Sequence, residues 1–287
     1  MAAGNTLTII DSHCHVISPD RAKYPLAPLG GKQSDWSSER PTPPEKLLAA
    51  MDDAGVAKAV VVQASTAYGH DASYLADSLK RFPARLTGVF SVDPLDPKAL
   101  EQMDRWTGLG MTGLRVFTTG STMPGQQTWL DDERAYPVWD KAGKLKLPVA
   151  VQMTPDGIPL LLKIVKAFPG TNFLLDHLAR SKFNDGPPYA GAAGLWDLAQ
   201  YKNIYVKLTS RTVENCQEGK ATPETFMPKL MSTFGSDHVL WGSNFPAHDD
   251  TLANILKETL HVLAPVSDAD RANIMGGTAL RLYPALK

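Results

Sequence analysis

Eight short apolar runs, each followed by a stretch of helical periodicity, constrain the fold of this 287-residue chain most strongly. Several runs, such as Ala59-Val-Val-Val62, do not alternate polar with apolar residues, which is typical of parallel strands buried on both faces. The predicted strands are Leu7–Ile10, Lys58–Ala64, Leu86–Val92, Thr112–Phe117, Leu147–Met153, Asn172–Asp176, Ile204–Leu208 and Val239–Trp241.

The stretches between these strands place apolar residues three and four positions apart, which predicts amphipathic helices. The predicted helices are Pro44–Ala54, Ala72–Phe82, Lys98–Thr107, Asp132–Leu145, Ile158–Ala167, Ala190–Tyr201, Pro223–Phe234, Leu252–Leu263 and Asp268–Leu282. Repeated strand–helix units favour an α/β fold, and we expect residues 1–287 to form a single (β/α)8 TIM barrel. A doubly wound open sheet is the alternative, because periodicity does not decide whether a sheet closes.

One irregular segment, Val16–Thr42, is much longer than the other connections and is rich in Pro, Gly and Ser. It directly follows the first predicted strand. A loop of this length inside a compact domain is usually functional. We therefore expect it to form a lid over the strand ends.

The composition argues against several classes of protein. There are 29 Lys and Arg against 30 Asp and Glu, with no basic run, so the charge pattern of a nucleic-acid-binding protein is absent. Two cysteines, Cys14 and Cys216, are too few for a disulfide framework and indicate a reducing compartment. No stretch approaches about 20 apolar residues. We expect a cytoplasmic protein with neither a nucleic-acid nor a membrane partner.

The first predicted strand runs into Asp11-Ser-His13-Cys-His15, which has two histidines at strand spacing. In an extended segment alternate residues share a face, so Asp11, His13 and His15 are predicted to point the same way. At about 3.3 Å per residue the imidazoles would lie roughly 6.6 Å apart. That spacing lets both rings reach one ion or one substrate oxygen, whereas Cys14 points away and is expected to pack in the core.

Polar side chains also occur at the ends of other predicted strands, and the carboxyl ends of barrel strands form the active sites of such enzymes. Polar residues are expected wherever a strand reaches water, but imidazole, guanidinium and amide groups together favour an active site. The strand-end residues are Gln63, Ser65, Arg115, Gln152, Asp176, His177, Lys207, Thr209, Arg211, Ser243 and Asn244.

Three blocks resemble the signature of the amidohydrolase superfamily, in its amidohydrolase-2 branch. They are Asp11-Ser-His13-Cys-His15, Leu175-Asp176-His177 and Trp241-Gly-Ser-Asn-Phe-Pro246. Within that branch the chain is similar to the 2-pyrone-4,6-dicarboxylate lactonase group and to other sugar-lactone and muconolactone enzymes. The likeness runs from about Ile9 to Tyr283 and implies a barrel enzyme that acts on a small-molecule lactone. Further matching blocks are Val62-Gln-Ala-Ser65, Gly113-Leu-Arg115 and Leu282-Tyr283.

Asn244 departs from the pattern of this family, because most relatives have an aspartate there as metal ligand, general base or both. A neutral amide cannot take a proton from water near pH 7. By ligand count His13, His15 and His177 would suffice for a catalytic zinc, but the lactonase-like branch is known to keep these histidines while working without metal. We therefore expect no required metal or other cofactor, with zinc or another divalent metal as the alternative.

The resemblance implies catalytic roles for five residues. His13, His15 and His177 would polarise the ring carbonyl as it becomes an oxyanion. Asn244 would orient the nucleophile, with Asp11 or His177 as the nearby base.

A carboxylate-bearing substrate needs a planar cationic partner, and Arg115 and Arg211 match arginines of the lactonase group. Arg180 could serve instead of Arg211, and Arg115 could instead pair with Asp93 or Asp11 inside the barrel. The other predicted substrate-binding residues are Gln63, Ser65, Gln152 and Tyr68, and weaker candidates in strand-end loops are Tyr24, His70 and His248.

Four functions are compatible with these residues. We favour hydrolysis of the ring ester of a small carboxylate-bearing lactone, because hydrolysis is the commoner activity among similar sequences. A lactone isomerase would use a substrate hydroxyl as an internal nucleophile and would not need to deprotonate water. A metal-dependent decarboxylase fits less well with Asn244. A barrel that binds a ligand without catalysis is the fourth possibility.

Overall fold

Eight parallel strands follow one another around a barrel in the order of the chain. A computed structural model describes residues 7–120 and 128–287. The prediction of a (β/α)8 barrel is confirmed. That residues 1–287 form a single domain stays a prediction. The strands are β1 (Ile10–Cys14), β2 (Lys58–Val62), β3 (Leu86–Ser91), β4 (Gly113–Phe117), β5 (Val149–Gln152), β6 (Phe173–Leu175), β7 (Ile204–Thr209) and β8 (Val239–Gly242).

Strands β1 and β8 meet and nearly close the barrel. The amide of Asn244 donates to the carbonyl of His13 at 2.7 Å, and the amide of His15 donates to the carbonyl of Phe245 at 2.8 Å. The Ser12 hydroxyl adds a hydrogen bond to the carbonyl of Trp241. These bonds lie where the candidate site residues leave the sheet, so closure of the barrel and placement of the site depend on the same backbone.

Helices surround the strands in the described part of the chain, and none of them is both long and apolar enough to cross a membrane. A five-residue π turn, Asn273–Gly277, joins the last two helices. The helices are α1 (Asp35–Glu39), α2 (Pro44–Ala54), α3 (Ser65–Tyr68), α4 (Ser73–Arg81), α5 (Ala99–Gly108), α6 (Tyr136–Lys144), α7 (Ile158–Ala167), α8 (Ala193–Asp197), α9 (Ser210–Asn215), α10 (Pro223–Phe234), α11 (Leu252–Val262), α12 (Asp268–Ala272) and α13 (Thr278–Leu282).

Two predicted elements are wrong in their bounds. The first strand is Ile10–Cys14 rather than Leu7–Ile10, because its polar residues are buried and stay in the ladder. The predicted helix Ala190–Tyr201 is split, with α8 between two short 3-10 turns. Two short helices, α3 with four residues and α9 with six, lie close after strands and are too short to show a periodic pattern.

Alternate residues along the strands enter two separate apolar clusters. Val60, Val62 and Leu174 belong to the inner cluster, which Tyr283 and Leu286 of the C-terminal segment complete. Residues such as Val61 and Leu175 face the surrounding helices instead. Arg115 and Lys207 each lie between two helix-facing residues, so their side chains point into the barrel. The alternation along the strands thus brings charged groups to the candidate site.

A β-bulge in β1 changes the predicted alternation of its side chains. Asp11 pairs with Ala59 and Cys14 pairs with Val61, so β1 contains one residue more than β2 over this interval. Register partners point to the same face, which places Asp11 and Cys14 on the side of the helices. The prediction that Asp11 shares a face with the two histidines is therefore wrong, and Cys14 packs in the core as expected.

Candidate active site

Three buried imidazoles lie together at the carboxyl ends of β1 and β6. The ring centroid of His13 is 5.1 Å from that of His15 and 5.0 Å from that of His177. Each side chain is at most 6% exposed. The structure thus brings together residues that are 162 to 164 positions apart in the chain (177 − 15 and 177 − 13).

A hydrogen bond selects the tautomer of one of these rings. His15 Nδ1 lies 2.8 Å from the carbonyl of Val62, which can only accept, so Nδ1 carries the proton and Nε2 keeps its lone pair. His13 Nδ1 lies 3.4 Å from both the Lys207 ammonium, which can only donate, and Asp176 Oδ1, which can only accept, so these two contacts select neither tautomer of His13. Within the described residues, His13 Nε2 has no hydrogen-bond partner.

His177 is held from a different direction, because its Nδ1 lies 2.7 Å from the hydroxyl of Thr209 at the end of β7. Burial lowers the pKa of His15 and of His177 to about 3, and the nearby Arg115 adds to the decrease in both. Burial likewise holds the pKa of His13 well below its usual range. All three imidazoles are therefore neutral at pH 7.

A buried charge cluster lies beneath the histidines. The Lys207 ammonium, which is wholly buried, is 3.2 Å from one carboxylate oxygen of Asp176, and Arg115 Nε donates to the other at 2.8 Å. Burial raises the pKa of Asp176, but Lys207 and Arg115 outweigh burial and hold it well below its usual range. The alternative interpretation of Arg115, an ion pair inside the barrel, is correct in kind but not in partner, because the carboxylate is that of Asp176 rather than of Asp93 or Asp11.

Asp11 joins the ends of β1 and β8 rather than facing the cavity. Its carboxylate accepts hydrogen bonds from the Ser243 hydroxyl at 2.5 Å and from the amides of Ser243 and His13 at 2.9 Å. Gly242 allows this close approach, because a Cβ atom there would lie 2.5 Å from the Cβ of His13. Asp11 is therefore placed to fix the backbone of His13.

The residues from His177 to Arg180 form a left-handed turn after β6. Their φ angles are 54°, 49°, 54° and 55°, although none of them is glycine. Left-handed backbone costs about 1–2 kcal/mol per residue, and such strain concentrates at functional sites. The turn returns the chain sharply, so that His177 and Arg180 both reach the same cavity.

A cavity of about 260 Å³ opens above the three imidazoles. Its walls contain seven of the predicted site residues, together with Arg180 and residues that the sequence did not indicate. A larger groove of about 460 Å³ between α4 and α5 contains none of the predicted site residues. The 260 Å³ cavity is lined by His15, Ser34, Trp36, Ala64, Ser65, Thr66, Arg115, Gln152, His177, Arg180, Arg211, Asn244 and Ala247.

Two predicted substrate-binding residues support loops behind this cavity. Gln63 Nε2 donates to the carbonyl of Asp71 at 2.7 Å, and the Tyr68 hydroxyl accepts from the amide of Ser18 at 2.8 Å. Gln152, by contrast, lines the cavity, and its side-chain oxygen accepts from Arg115 at 3.3 Å. Of the two strand-end glutamines, Gln152 thus faces the cavity and Gln63 faces a loop.

The irregular segment Val16–Thr42 contributes helix α1 to the cavity wall. The Trp36 ring lies 5.2 Å from that of His15, and Arg40 donates to the carbonyls of Pro246 and Ala247 after β8. No pattern in the sequence indicated Trp36, because a single aromatic residue in a Ser- and Pro-rich loop has no periodicity. That this segment acts as a lid stays a prediction.

The donor set does not fit a divalent metal ion. Among residues 7–120 and 128–287, no group of three His, Cys, Asp or Glu side chains is arranged to hold one. Asp176 is engaged by two cations, Asp11 by Ser243, and Asn244 is neutral. The Lys207 ammonium would also repel a second cation beside His13.

Known proteins are similar to this chain in sequence and in architecture. The chain is 25% identical over 207 residues to L-fucono-1,5-lactonase of Burkholderia ambifaria, covering 71% of this chain and 69% of that protein. It is 25% identical over 243 residues to 4-sulfomuconolactone hydrolase of Rhizobium radiobacter, covering 82% and 75%.

Solved structures extend the likeness over nearly the whole chain. A putative 2-pyrone-4,6-dicarboxylic acid hydrolase from Pseudomonas putida superposes with a TM-score of 0.77 at 22% identity, covering 97% of this chain and 98% of that one. A zinc-bound amidohydrolase from Burkholderia multivorans gives 0.76 at 19%, covering 96% and 99%. The Amidohydrolase family matches residues 10–285. The chain therefore belongs to the amidohydrolase family and is a hydrolase.

Proposed function

We propose that this protein hydrolyses the ring ester of a small anionic lactone in the 260 Å³ cavity. The observation that carries the proposal is the presence of two guanidinium groups, Arg180 and Arg211, in the same cavity as the neutral imidazoles of His15 and His177. The relatives named as a lactonase and a muconolactone hydrolase support a lactone as substrate.

His13 would stabilise the negative charge that develops on the ring carbonyl. Its Nε2 lacks a partner within the described residues, and its ring lies about 5 Å from two imidazoles that line the cavity. With the ring proton on Nε2, His13 would be a preorganised donor shielded from bulk water, and such a donor stabilises an oxyanion strongly. The lone pair of His15 Nε2 and the Asn244 amide would orient the attacking water. Asp11 would act as a positioning residue through Ser243.

Arg180 and Arg211 would bind the anionic group of the substrate. Burial and the charge of Arg211 lower the pKa of Arg180, which indicates that the two cations lie near each other. In the part of the chain that the structure describes, neither forms an ion pair with a carboxylate, whereas Arg115 is held by Asp176. The anion-binding role predicted for Arg115 therefore passes, in this proposal, to Arg180 together with Arg211.

Replacing Arg180 or Arg211 by methionine should each reduce kcat/KM for an anionic lactone about 10- to 150-fold, because each loses a charged hydrogen bond worth about 1.5–3 kcal/mol. Activity on a neutral lactone should change little. Steady-state kinetics on both substrate types measures the effect, and Arg134→Met, at an exposed ion pair, is the matched control. Unchanged kinetics in both variants would place the anion elsewhere.

The reaction itself is tested with H₂¹⁸O and the lactones that the relatives' names supply. We expect turnover of 4-sulfomuconolactone or 2-pyrone-4,6-dicarboxylate to exceed that of L-fucono-1,5-lactone, which bears no charge. Mass spectrometry should find one ¹⁸O atom per product molecule. Product without ¹⁸O would indicate isomerisation, release of CO₂ would indicate decarboxylation, and binding without turnover would indicate a non-catalytic barrel.

We also propose that the reaction needs no bound metal, because Lys207 and Arg115 already compensate the carboxylate beside His13. The protein should retain activity after dialysis against a chelator, with less than one equivalent of metal by elemental analysis. Activity that chelation abolishes and zinc restores would contradict this.

A further inference from the structure

Hydrolysis in this cavity needs a group that takes a proton from water, and the cavity wall offers no strong candidate. The amide of Asn244 is not basic. His15 and His177 bind a proton only weakly, because burial lowers the pKa of each to about 3. The base must therefore be reached from the cavity rather than lie in it.

We propose that a hydrogen-bond chain from Ser65 through Ser91 to His70 carries this proton out of the cavity, with His70 as its acceptor. The inference rests on the hydrolysis proposed above. Ser65 lines the cavity at the start of α3. Its hydroxyl lies 3.0 Å from that of Ser91, and the Ser91 hydroxyl lies 2.8 Å from Nδ1 of His70.

Burial of the two hydroxyls gives this chain a single route. Ser91, the last residue of β3, is wholly buried, and Ser65 is 2% exposed. Besides Ser65 and His70, Ser91 reaches the carbonyl of Gly69 only at 3.4 Å. His70 lies between α3 and α4 and is partly exposed, so the chain runs from the cavity to the edge of the protein.

The charges around His70 favour its role as acceptor. Burial lowers its pKa, but Asp93 and Asp96, which follow β3, oppose the decrease. Asp71, the next residue in the chain, has its carboxylate engaged by Ser73. Arg115 on β4 is the register partner of Ser91, and it shares the Asp176 carboxylate with Lys207. A proton on His70 would thus have two carboxylates near it.

Proton transfer along the chain accompanies the attack of water on the lactone. The water oxygen forms a bond to the ring carbonyl carbon, while a water proton passes to Ser65, the Ser65 proton to Ser91, and the Ser91 proton to His70 Nδ1. The carbonyl electron pair moves onto its oxygen and returns as the ring C–O bond breaks. The leaving oxygen recovers a proton along the same chain, and the new carboxylic acid releases its own proton to solvent.

The chain is tested in the full protein with Ser91→Ala, Ser91→Thr and His70→Ala, on the lactone that the wild type opens. Ser91→Ala and His70→Ala should each lower kcat about 10²- to 10⁴-fold with little change in KM, since proton transfer contributes that much. Ser91→Thr keeps a hydroxyl and should retain most activity. Imidazole added to His70→Ala should restore part of kcat. The matched control is His261→Ala, at an exposed position in α11.

The outcomes separate this inference from the proposed function. If the wild type opens no lactone, the proposed function and the chain both fail. If the wild type incorporates ¹⁸O but Ser91→Ala and His70→Ala keep its kcat, only the chain fails. An acyl group trapped on Ser65 would also overturn it, because Ser65 would then be the nucleophile. If Ser91→Ala does not fold, imidazole rescue of His70→Ala decides.

Discussion

Asp176→Asn should reduce the free energy of unfolding by about 3–5 kcal/mol, because removing one partner of a buried ion pair leaves an uncompensated buried charge. Here two cations lose the same carboxylate. Lys207 is wholly buried and Arg115 is 6% exposed, so water cannot replace Asp176. Urea denaturation at pH 7 measures the change.

The control for this prediction is Asp140→Asn, in the exposed ion pair with Lys144 on α6, where we expect about 0–1 kcal/mol. Combining Asp176→Asn with Lys207→Met should recover part of the loss, since it removes one of the two unpaired cations. If Asp176→Asn is no less stable than Asp140→Asn, the buried cluster contributes no more to folding than an exposed ion pair does, and the prediction is wrong.

The barrel could be predicted because most of its strands are buried on both faces. Lys58–Val62, for example, has four consecutive buried apolar residues. Such a run is typical of a parallel strand that is buried on both faces. Strand β1 could not be bounded in the same way. Its residues Asp11 to His13 are polar but wholly buried. A prediction based on hydropathy therefore ends the strand before them.

The site was predictable as a set of strand-end residues but not as a set of partners. Which carboxylate meets Arg115 depends on where β4 and β6 lie across the barrel, and sequence spacing carries no information about that. The left-handed turn after β6 could not be predicted from the sequence either, since the residues that usually indicate such a turn, Gly and Asn, do not occur from His177 to Arg180. Ser91 resembled any other residue at the end of an apolar strand.

Acid should unfold this protein through its histidines before its carboxylates are protonated. In the unfolded chain His15 and His177 have a pKa of about 6.5, whereas burial lowers both to about 3 in the folded protein. Between these values the unfolded state binds a proton on each ring and the folded state does not. Stability therefore falls as pH falls below 6.5, and the slope for each ring rises towards about 1.4 kcal/mol per pH unit as the unfolded ring becomes fully protonated.

From these two rings alone, we expect a loss of roughly 3 kcal/mol between pH 6.5 and pH 5, out of a typical total of about 5–15 kcal/mol. The third buried imidazole, His13, increases the loss, because its pKa is lowered as well. Asp176 acts in a separate range. Its pKa is depressed, so its stabilisation is complete above the unfolded value of about 3.9 and is lost only below it.

Urea denaturation at pH 7, 6 and 5 checks this prediction, and His177→Gln identifies the source. Glutamine keeps a polar side chain but does not titrate, so between pH 7 and pH 5 the variant should lose about 1 kcal/mol per pH unit from the slope, whatever its stability at pH 7. His261→Ala, at an exposed position, should keep the wild-type slope. An unchanged slope in His177→Gln would mean that His177 is already protonated in the folded protein near pH 6. The cavity would then hold a cation next to His13, and the stabilisation of an oxyanion would have to be assigned to His177 instead.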